Sequence, residues 1–299
     1  MERVFYRTSI LADRQVVNPR RRLVESKRRI PAYRRAGLAD EGQIGGGGSL
    51  GTGLEHFLSW RGEELAEQEL AEGGKRALVI AAHPDDSEFG CAGTAALWLR
   101  DGWEFHYLIC SDGSKGTDDP QLSRERLAAI RQEEQRAAAA VLGVEDVSFL
   151  NYEDGEIIYQ RDLLGEIVRF IRRVRPHAVF THEPVHIVRN MYLNHPDHRT
   201  IGTLALDAVY PIARNRPSFP EHAEEGLEPH RVKELYLWTS NDPNFNVDIT
   251  DVVDLKFEAL MCHRSQFANI EERMKAWRQR WVDEEGRFRE YFRHIVLPF

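Results

Sequence analysis

The chain contains 299 residues, of which 42% are hydrophobic and 29% charged, and its formal net charge at pH 7 is −8. This is ordinary globular composition, which excludes a mostly disordered chain. The length predicts one large domain or two small ones. No stretch approaches the ~20 uninterrupted apolar residues that a membrane span requires, so the sequence excludes an integral membrane protein.

The three cysteines are Cys91, Cys110 and Cys262, which are widely spaced and form no Cys-x-x-Cys pair. An odd number of isolated cysteines excludes a disulfide-stapled scaffold. We therefore predict that the protein works in a reducing compartment, the cytoplasm.

Charge divides the chain into a basic arm and an acidic body. Residues 1–37 carry eleven Lys/Arg and three acidic residues, which leaves a net charge of −16 on the rest. A Gly-rich tract at 45–49 is typical of a flexible linker. We expect residues 1–53 to be a flexible extension, with a transit peptide as the alternative, and residues 54–299 to form the functional domain. An acidic body repels phosphates, so nucleic acid is not an expected partner.

Strands and helices are predicted to alternate along the domain. Helical periodicity marks residues 54–72, 90–100, 122–142, 161–174, 196–210 and 252–267. Short apolar runs predict strands at 76–82, 104–110, 147–150, 178–181 and 232–238. This alternation predicts βαβ units and an α/β fold, a mostly parallel sheet with helices on both faces. The first βα turn lacks Gly-x-Gly-x-x-Gly, which argues against a dinucleotide site.

Two short motifs carry chemistry, because each opens a predicted helix at the ligand-binding edge of the sheet: His83-Pro84-Asp85-Asp86 and His195-Pro196-Asp197-His198. Proline fits the first helical position, and residues three apart there share a face. His83, Asp86 and His198 can therefore converge on one point. Two imidazoles and one carboxylate are the three-ligand set of a catalytic zinc site whose fourth position is left to water.

The remaining members of the two motifs suit the hydrolysis of an amide or an ester. Asp85, beside the ligand Asp86, is the candidate general base for the attacking water. His195, as an imidazolium, could protonate a departing amine or stabilise the oxyanion, and Asp197 would hold it. His182, at a strand end, is either a group that supports the ligands or an ordinary loop residue.

Five segments together resemble the LmbE-like (PIG-L) de-N-acetylase superfamily over about residues 75–270: VIAAHPDDSEFGCAGTAA, CSDGSKG, RQEEQRAAAAVLGV, FLNYEDGEI and NHPDHRTIG. HRSQF near the end is similar to the family as well. The resemblance implies a Rossmann-like fold and a divalent metal, usually Zn²⁺ with Fe²⁺ as an alternative. It implies a small amino-sugar conjugate as substrate and removal of acetyl from its N-acetylglucosamine group.

The resemblance also implies site residues. It gives the same ligands and the same roles for Asp85 and His195, and it places Arg131 and Asp154 where the family contacts sugar hydroxyls. Leu193 stands where some members have a catalytic tyrosine. Two alternatives stay open, an amidase or esterase acting on a non-sugar acyl group and a metal-binding protein that does not turn over. The sequence leaves the oligomeric state open, a homo-oligomer included.

Overall fold

The computed structural model describes residues 74–185, 187–189, 192–267 and 269–297. The expected extension at 1–53 and the predicted helix at 54–72 lie outside these residues, so both stay predictions. No helix within the described ranges is long and apolar enough to cross a membrane.

The described chain alternates strands and helices. The strands are β1 Arg76–Ala81, β2 Glu104–Ser111, β3 Asp146–Tyr152, β4 Ala178–His182, β5 Val188–Arg189, β6 Tyr192–Leu193, β7 Glu234–Trp238, β8 Phe245–Asp248 and β9 Arg289–Val296. The helices are α1 Asp86–Arg100, α2 Arg124–Leu142, α3 Arg161–Val174, α4 Pro196–Val209, α5 Glu221–Glu224, α6 Val253–Leu260 and α7 Ile270–Trp281. Short 3₁₀ turns occupy Ile212–Arg214 and Thr250–Val252.

The main sheet has seven strands in the order β3-β2-β1-β4-β7-β9-β8. β1, β2, β3, β4 and β7 pair in parallel, whereas β9 is antiparallel to both β7 and β8. β5 and β6 form a separate antiparallel ribbon. The predicted α/β fold with a mostly parallel sheet is confirmed, and the strand order puts the ends of β1 and β4 side by side at its centre.

Alternating strand residues supply two cores, one on each face of the sheet. Val79, Tyr107 and Phe180 pack on the face that α1, α2 and α6 cover. Leu78 and Leu108 face the opposite way, toward α3 and α4. Side chains of a strand point to opposite faces in turn, so a sheet buried on both sides needs apolar residues at nearly every position, as β1 has.

The C-terminal third departs from the sequence prediction. The helix expected over 252–267 ends at Leu260, where the chain tightens into turns in which the Cys262 and His263 N–H groups donate to Ala259 O and Leu260 O. Beyond these turns the Ser265 backbone N–H and hydroxyl both donate to the Glu134 carboxylate, at 2.8 and 2.6 Å. Strands β8 and β9 and the ribbon β5–β6 were not predicted. β9 mixes charged and aromatic residues along its length, so no apolar run marks it.

Candidate metal centre and active site

The two motifs meet at the carboxyl ends of the central strands. His83 follows β1, Asp86 opens α1, and Pro196 is the first residue of α4. The three predicted ligands lie close together. His83 Nδ1 is 3.2 Å from His198 Nε2 and 3.3 Å from Asp86 Oδ2, and His198 Nε2 is 3.1 Å from Asp86 Oδ1. Residues up to 115 positions apart in the chain therefore bring two ring nitrogens and one carboxylate to one point.

His83 is held through its second ring nitrogen. Its Nε2 lies 3.2 Å from Asp154 Oδ1 and 3.2 Å from Asp197 Oδ2. Carboxylates only accept, so these two partners hold a proton on Nε2, and Nδ1 faces Asp86 and His198, where a bound cation would displace its proton. Burial lowers the pKa of His83, but its hydrogen bonds with the surrounding carboxylates outweigh burial and hold that pKa well above the ordinary value. This cluster of negative charge attracts a cation.

His182 supports the ligands. Its ring stacks on that of His198 with centroids 4.2 Å apart, and its Nε2 is 3.3 Å from Asp86 Oδ2. The Trp238 indole N–H donates to Nδ1 at 3.1 Å and the Ala82 backbone N–H donates to Nε2 at 3.2 Å, so protein donors approach both ring nitrogens. Burial, with His198 adding to it, lowers the pKa of His182 to about 4, so the ring is neutral. Its contact with Asp86 helps to hold that carboxylate in place.

The approach of α4 to β4 requires a glycine. A Cβ on Gly202 would lie 2.5 Å from the His182 backbone oxygen, closer than any side chain tolerates. Glycine at this position lets α4 pack directly on the end of β4. His198, one turn earlier on α4, is thereby brought against His182.

His195 caps α4 rather than pairing with the Asp197 carboxylate as expected. The Asp197 backbone N–H donates to His195 Nδ1 at 3.2 Å, whereas the Asp197 carboxylate accepts from the Gly155 N–H at 2.7 Å and contacts His83. Burial lowers the pKa of His195, and the neighbouring His83 and His198 lower it further. The ring is therefore a neutral imidazole with its proton on Nε2, not the imidazolium that the sequence suggested.

Asp85 has an unusual backbone. Its φ is 107° and its ψ −26°, and although it is the N-cap of α1 its side chain makes no capping hydrogen bond. A non-glycine residue in such a conformation costs on the order of 1–3 kcal/mol and persists only where its surroundings enforce it. Burial raises the pKa of Asp85 to about 6, with Asp86 adding to the rise and Arg131 opposing it. The carboxylate is ionised at neutral pH and can accept a proton.

Arg131 and Asp154 both reach this centre. Arg131 is 4% exposed and donates to Pro84 O at 2.5 Å and to Gly113 O at 3.0 Å, with Asp85 Oδ2 3.3 Å away. Burial raises the pKa of Asp154, but its contacts with His83 and the Lys115 backbone outweigh burial, and the result is a pKa of about 2. Their predicted contacts with a sugar stay a prediction.

Three buried residues beside Asp85 were missed by the sequence analysis: Glu88, Gln135 and His263. Each is fully buried, and together they form a hydrogen-bonded chain that ends on the Asp85 backbone N–H. A signal for Gln135 was present, because it lies four residues after Arg131 on the same predicted helix and so shares its face. Nothing local marks His263 as a partner of Glu88, which is 175 residues away.

One cavity of about 1180 Å³ contains the centre. His83, Asp85 and His195 line one part of it, and an aromatic wall lines the other, formed by Phe89 of α1 and by Phe267, Trp281 and Phe288 of the C-terminal third. Ligand pockets commonly enclose ~300–1,000 Å³, so this cavity has room for a substrate larger than one sugar ring.

Comparison with known proteins identifies the family. Residues 78–209 match the family described as PIG-L, GlcNAc-PI de-N-acetylase. The chain is 37% identical over 194 residues to a diacetylchitobiose deacetylase of Thermococcus kodakarensis, which covers 64% of this chain and 70% of that protein. This chain belongs to the PIG-L family. The N,N'-diacetylchitobiose deacetylase of Pyrococcus horikoshii superposes with a TM-score of 0.69 at 33% identity, over 83% of this chain and 94% of that one.

A more distant PIG-L relative carries a different name. The 4-oxalmesaconate hydratase of Pseudomonas putida is 29% identical over 203 residues, covering 64% of this chain and 74% of that protein. Membership of the PIG-L family therefore leaves the reaction to be argued from the site.

Proposed function

We propose that this protein is a metal-dependent N-deacetylase that hydrolyses the acetamide of an N-acetylglucosamine-type substrate to acetate and a free amine. The observation that carries the proposal is the centre itself: the ligating atoms of His83, Asp86 and His198 lie 3.1–3.3 Å apart, with the partly buried carboxylate of Asp85 beside them. The sequence identities of 37% and 33% to two diacetylchitobiose deacetylases support an amide as the bond that is cleaved and an amino sugar as the substrate. The identity to the hydratase is lower, at 29%.

His83, Asp86 and His198 fit a divalent cation and are the ligands we propose. Zinc–nitrogen bonds of about 2.0–2.1 Å place the donors of a tetrahedral site about 3.3 Å apart, close to the separations here. Three overlapping groups have potential ligand atoms within 4.8 Å of one another: His83, His195 and His198; Asp86, His182 and His198; and His83, Asp154 and Asp197. We favour the set from the two motifs because the Trp238 and Ala82 N–H groups already engage both ring nitrogens of His182, and the Asp197 N–H engages His195 Nδ1. Two imidazoles and a carboxylate suit Zn²⁺, with Fe²⁺ the alternative.

When bound, the cation would polarise the acyl oxygen and acidify water. Asp85 is the general base that we propose for the attacking water. A pKa near the working pH gives a carboxylate both a useful ionised fraction and enough basicity to accept a proton. The proton that Asp85 acquires would then be available to the departing amine.

His195 would stabilise the oxyanion. Its Nδ1 accepts from the Asp197 backbone, so its Nε2–H is the hydrogen-bond donor that remains. A neutral imidazole fixed in this way can donate to a developing negative charge without having to be protonated first. We propose this role in place of the acid role of an imidazolium.

Asp197 and Asp154 would act partly through His83, because both accept from its Nε2 and so direct Nδ1 toward the cation. Arg131 has five N–H groups and uses three on Pro84, Gly113 and Asp85, which leaves donors for a sugar hydroxyl. We propose Arg131 and Asp154 as the substrate-binding pair. All three cysteines are free thiols, which supports the proposed cytoplasmic location.

The decisive experiment measures amine and acetate release from N-acetylglucosamine, N,N'-diacetylchitobiose, simple acyl amides and esters by zinc-loaded protein. Asp85→Asn and a chelated sample are the negative controls. Asp101→Asn, which changes an exposed aspartate at the other end of α1, is the matched control and should stay active.

Equimolar acetate and amine from an N-acetylated sugar, lost with Asp85→Asn and on chelation, would support the deacetylase. Turnover of non-sugar amides or esters alone would favour the amidase or esterase. In a parallel assay, loss of the ultraviolet absorbance of an unsaturated carboxylate would report the addition of water to it. That result would favour a hydratase. Stoichiometric metal with no turnover of any compound would favour a binding protein.

A further inference from the structure

One peptide bond beside the proposed base is held at both ends by a single helix. Arg131 Nη2 donates to the Pro84 carbonyl at 2.5 Å, and Gln135 Oε1 accepts from the Asp85 N–H at 2.8 Å. This carbonyl and this N–H belong to the same peptide unit. Arg131 and Gln135 are four residues apart on α2 and so lie on one face of it. The face of α2 therefore fixes the plane of the Pro84–Asp85 peptide.

Fixing this plane decides where the Asp85 side chain points. An aspartate at a helix N-cap ordinarily has an extended backbone and uses its carboxylate to accept from the first turn of its own helix. Asp85 instead has φ 107° and makes no such bond, and its carboxylate lines the cavity. Rotation of the peptide would return Asp85 to the ordinary N-cap conformation and withdraw its carboxylate from the cavity in which the substrate would bind.

Gln135 is itself oriented by two further buried groups. Its Nε2 donates to both oxygens of the Glu88 carboxylate, at 2.9 and 3.1 Å, and Glu88 Oε2 lies 3.1 Å from His263 Nε2. Because the amide nitrogen is engaged by Glu88, the amide oxygen must face Asp85. Glu88, Gln135 and His263 are each 0% exposed, so no water competes for these bonds.

We propose that Gln135, oriented by Glu88 and His263, is a positioning residue that holds the Pro84–Asp85 peptide in its strained conformation and so aims the Asp85 carboxylate. The expected effect on catalysis rests on the proposed amide hydrolysis. The expected effect on the conformation of Asp85 rests on the backbone geometry alone. It assigns a function to Glu88, Gln135 and His263 without contact between them and the substrate.

The test compares Gln135→Met with Gln132→Met. Methionine has nearly the length of glutamine and adapts to core packing, but its sulfur is a weak acceptor for the Asp85 N–H. Gln132 lies on the same helix and donates only to Asn151, at a partly exposed position. We expect Gln135→Met to lower kcat about 10- to 100-fold, the scale of a misplaced catalytic group. KM should change by less than about twofold, because substrate contacts are intact. Metal content should not change, and Gln132→Met should behave as the wild type.

Two measurements separate positioning from loss of structure. Amide hydrogen exchange at Asp85, which should be protected in the wild type, should accelerate at least about tenfold in Gln135→Met while amides inside α1 are unchanged. In an Asp85→Asn background, Gln135→Met should cost less than about twofold in rate, because no base remains to be positioned.

An unprotected Asp85 amide in the wild type, additive rate losses in the double variant, or equal effects of Gln135→Met and Gln132→Met would overturn the proposal. The wild-type exchange measurement decides even if Gln135→Met does not fold. The exchange measurement also remains decisive in the case that the protein hydrolyses no amide. That result would refute the proposed function, and the positioning of Asp85 would then be judged on exchange alone.

Discussion

At the scale of single residues, His83 shows how one imidazole serves two purposes. Its Nε2 is bound by the carboxylates of Asp154 and Asp197, and its Nδ1 faces Asp86 and His198, where it would exchange its proton for a cation. The same reasoning separates the four histidines of the cluster. The Asp197 backbone N–H engages Nδ1 of His195 and leaves its Nε2 to the cavity, whereas the Trp238 and Ala82 N–H groups engage both nitrogens of His182.

This division predicts opposite phenotypes for two substitutions. His198→Ala should lose bound metal and activity together, because one of three donors is removed. Asp85→Asn should keep one metal per chain and lose about 10²–10⁴ in rate, the usual scale for a general base. Metal content by mass spectrometry, read beside kcat, checks both. Equal loss of metal in Asp85→Asn would show instead that Asp85 is a ligand.

At the scale of elements, the centre depends on how closely α4 packs on β4. Gly202→Ala should place a methyl group 2.5 Å from the His182 backbone oxygen and force the helix outward. We expect the free energy of unfolding to fall by about 1–3 kcal/mol, as overpacking typically costs. Metal affinity should fall with it, because His198 moves with α4. Urea unfolding and metal titration measure the two effects.

Thr203→Ala is the matched control for Gly202→Ala. Thr203 is the next residue of α4, lies on its exposed face and donates its hydroxyl to the Arg199 carbonyl. Its substitution should leave both the stability and the metal affinity close to the wild type. If Gly202→Ala had the same free energy of unfolding and the same metal affinity as Thr203→Ala, the packing of α4 on β4 would not determine the geometry of the metal centre.

The helices also differ in how well the local sequence predicts their bounds. α3 was predicted with its observed bounds, Arg161–Val174, because its apolar residues repeat with helical spacing. The helix expected at 252–267 ends at Leu260, and beyond it Glu134, distant in the chain, accepts from the Ser265 N–H. Local pattern can signal such an element but not the contacts with another helix that hold the chain after its end.

At the scale of the whole molecule, stability should decline on mild acidification. Burial, with Arg175 and Arg76 nearby, lowers the pKa of His230 to about 4, and its Nε2–H donates to the Pro176 carbonyl at 2.8 Å. Between about pH 6.5 and pH 4 the unfolded chain binds a proton at this residue and the folded chain does not. The contribution of His230 to stability is therefore full near neutral pH and is lost as the pH drops through this range.

The loss from His230 is at most about 3–4 kcal/mol, at about 1.4 kcal/mol per pKa unit, and smaller because the ring is partly exposed. His230→Gln keeps a donor for Pro176 but does not titrate. Its free energy of unfolding should decline less steeply than that of the wild type between pH 6.5 and pH 4, in urea titrations. Parallel curves for the two proteins would exclude His230 as a source of the pH dependence.

Removal of the basic arm is the second test at this scale. Every residue assigned to the centre lies between His83 and His263, and the seven-stranded sheet begins at Arg76. Deletion of residues 2–50 should therefore leave kcat/KM and the melting temperature close to the wild type, within about twofold for kcat/KM. A loss of turnover with an unchanged melting temperature would make the arm functional.

The sequence by itself determined the α/β fold, the two His-Pro-Asp motifs and the family, because apolar periodicity and motif spacing are local properties of the chain. Only the tertiary structure decided which carboxylate meets which imidazole. Asp197 contacts His83 rather than His195, and His263 reaches Glu88, through approaches of α1, α2, α4 and the turn after α6. Tautomers and the backbone of Asp85 follow from those approaches, since each depends on a hydrogen-bond partner from another element.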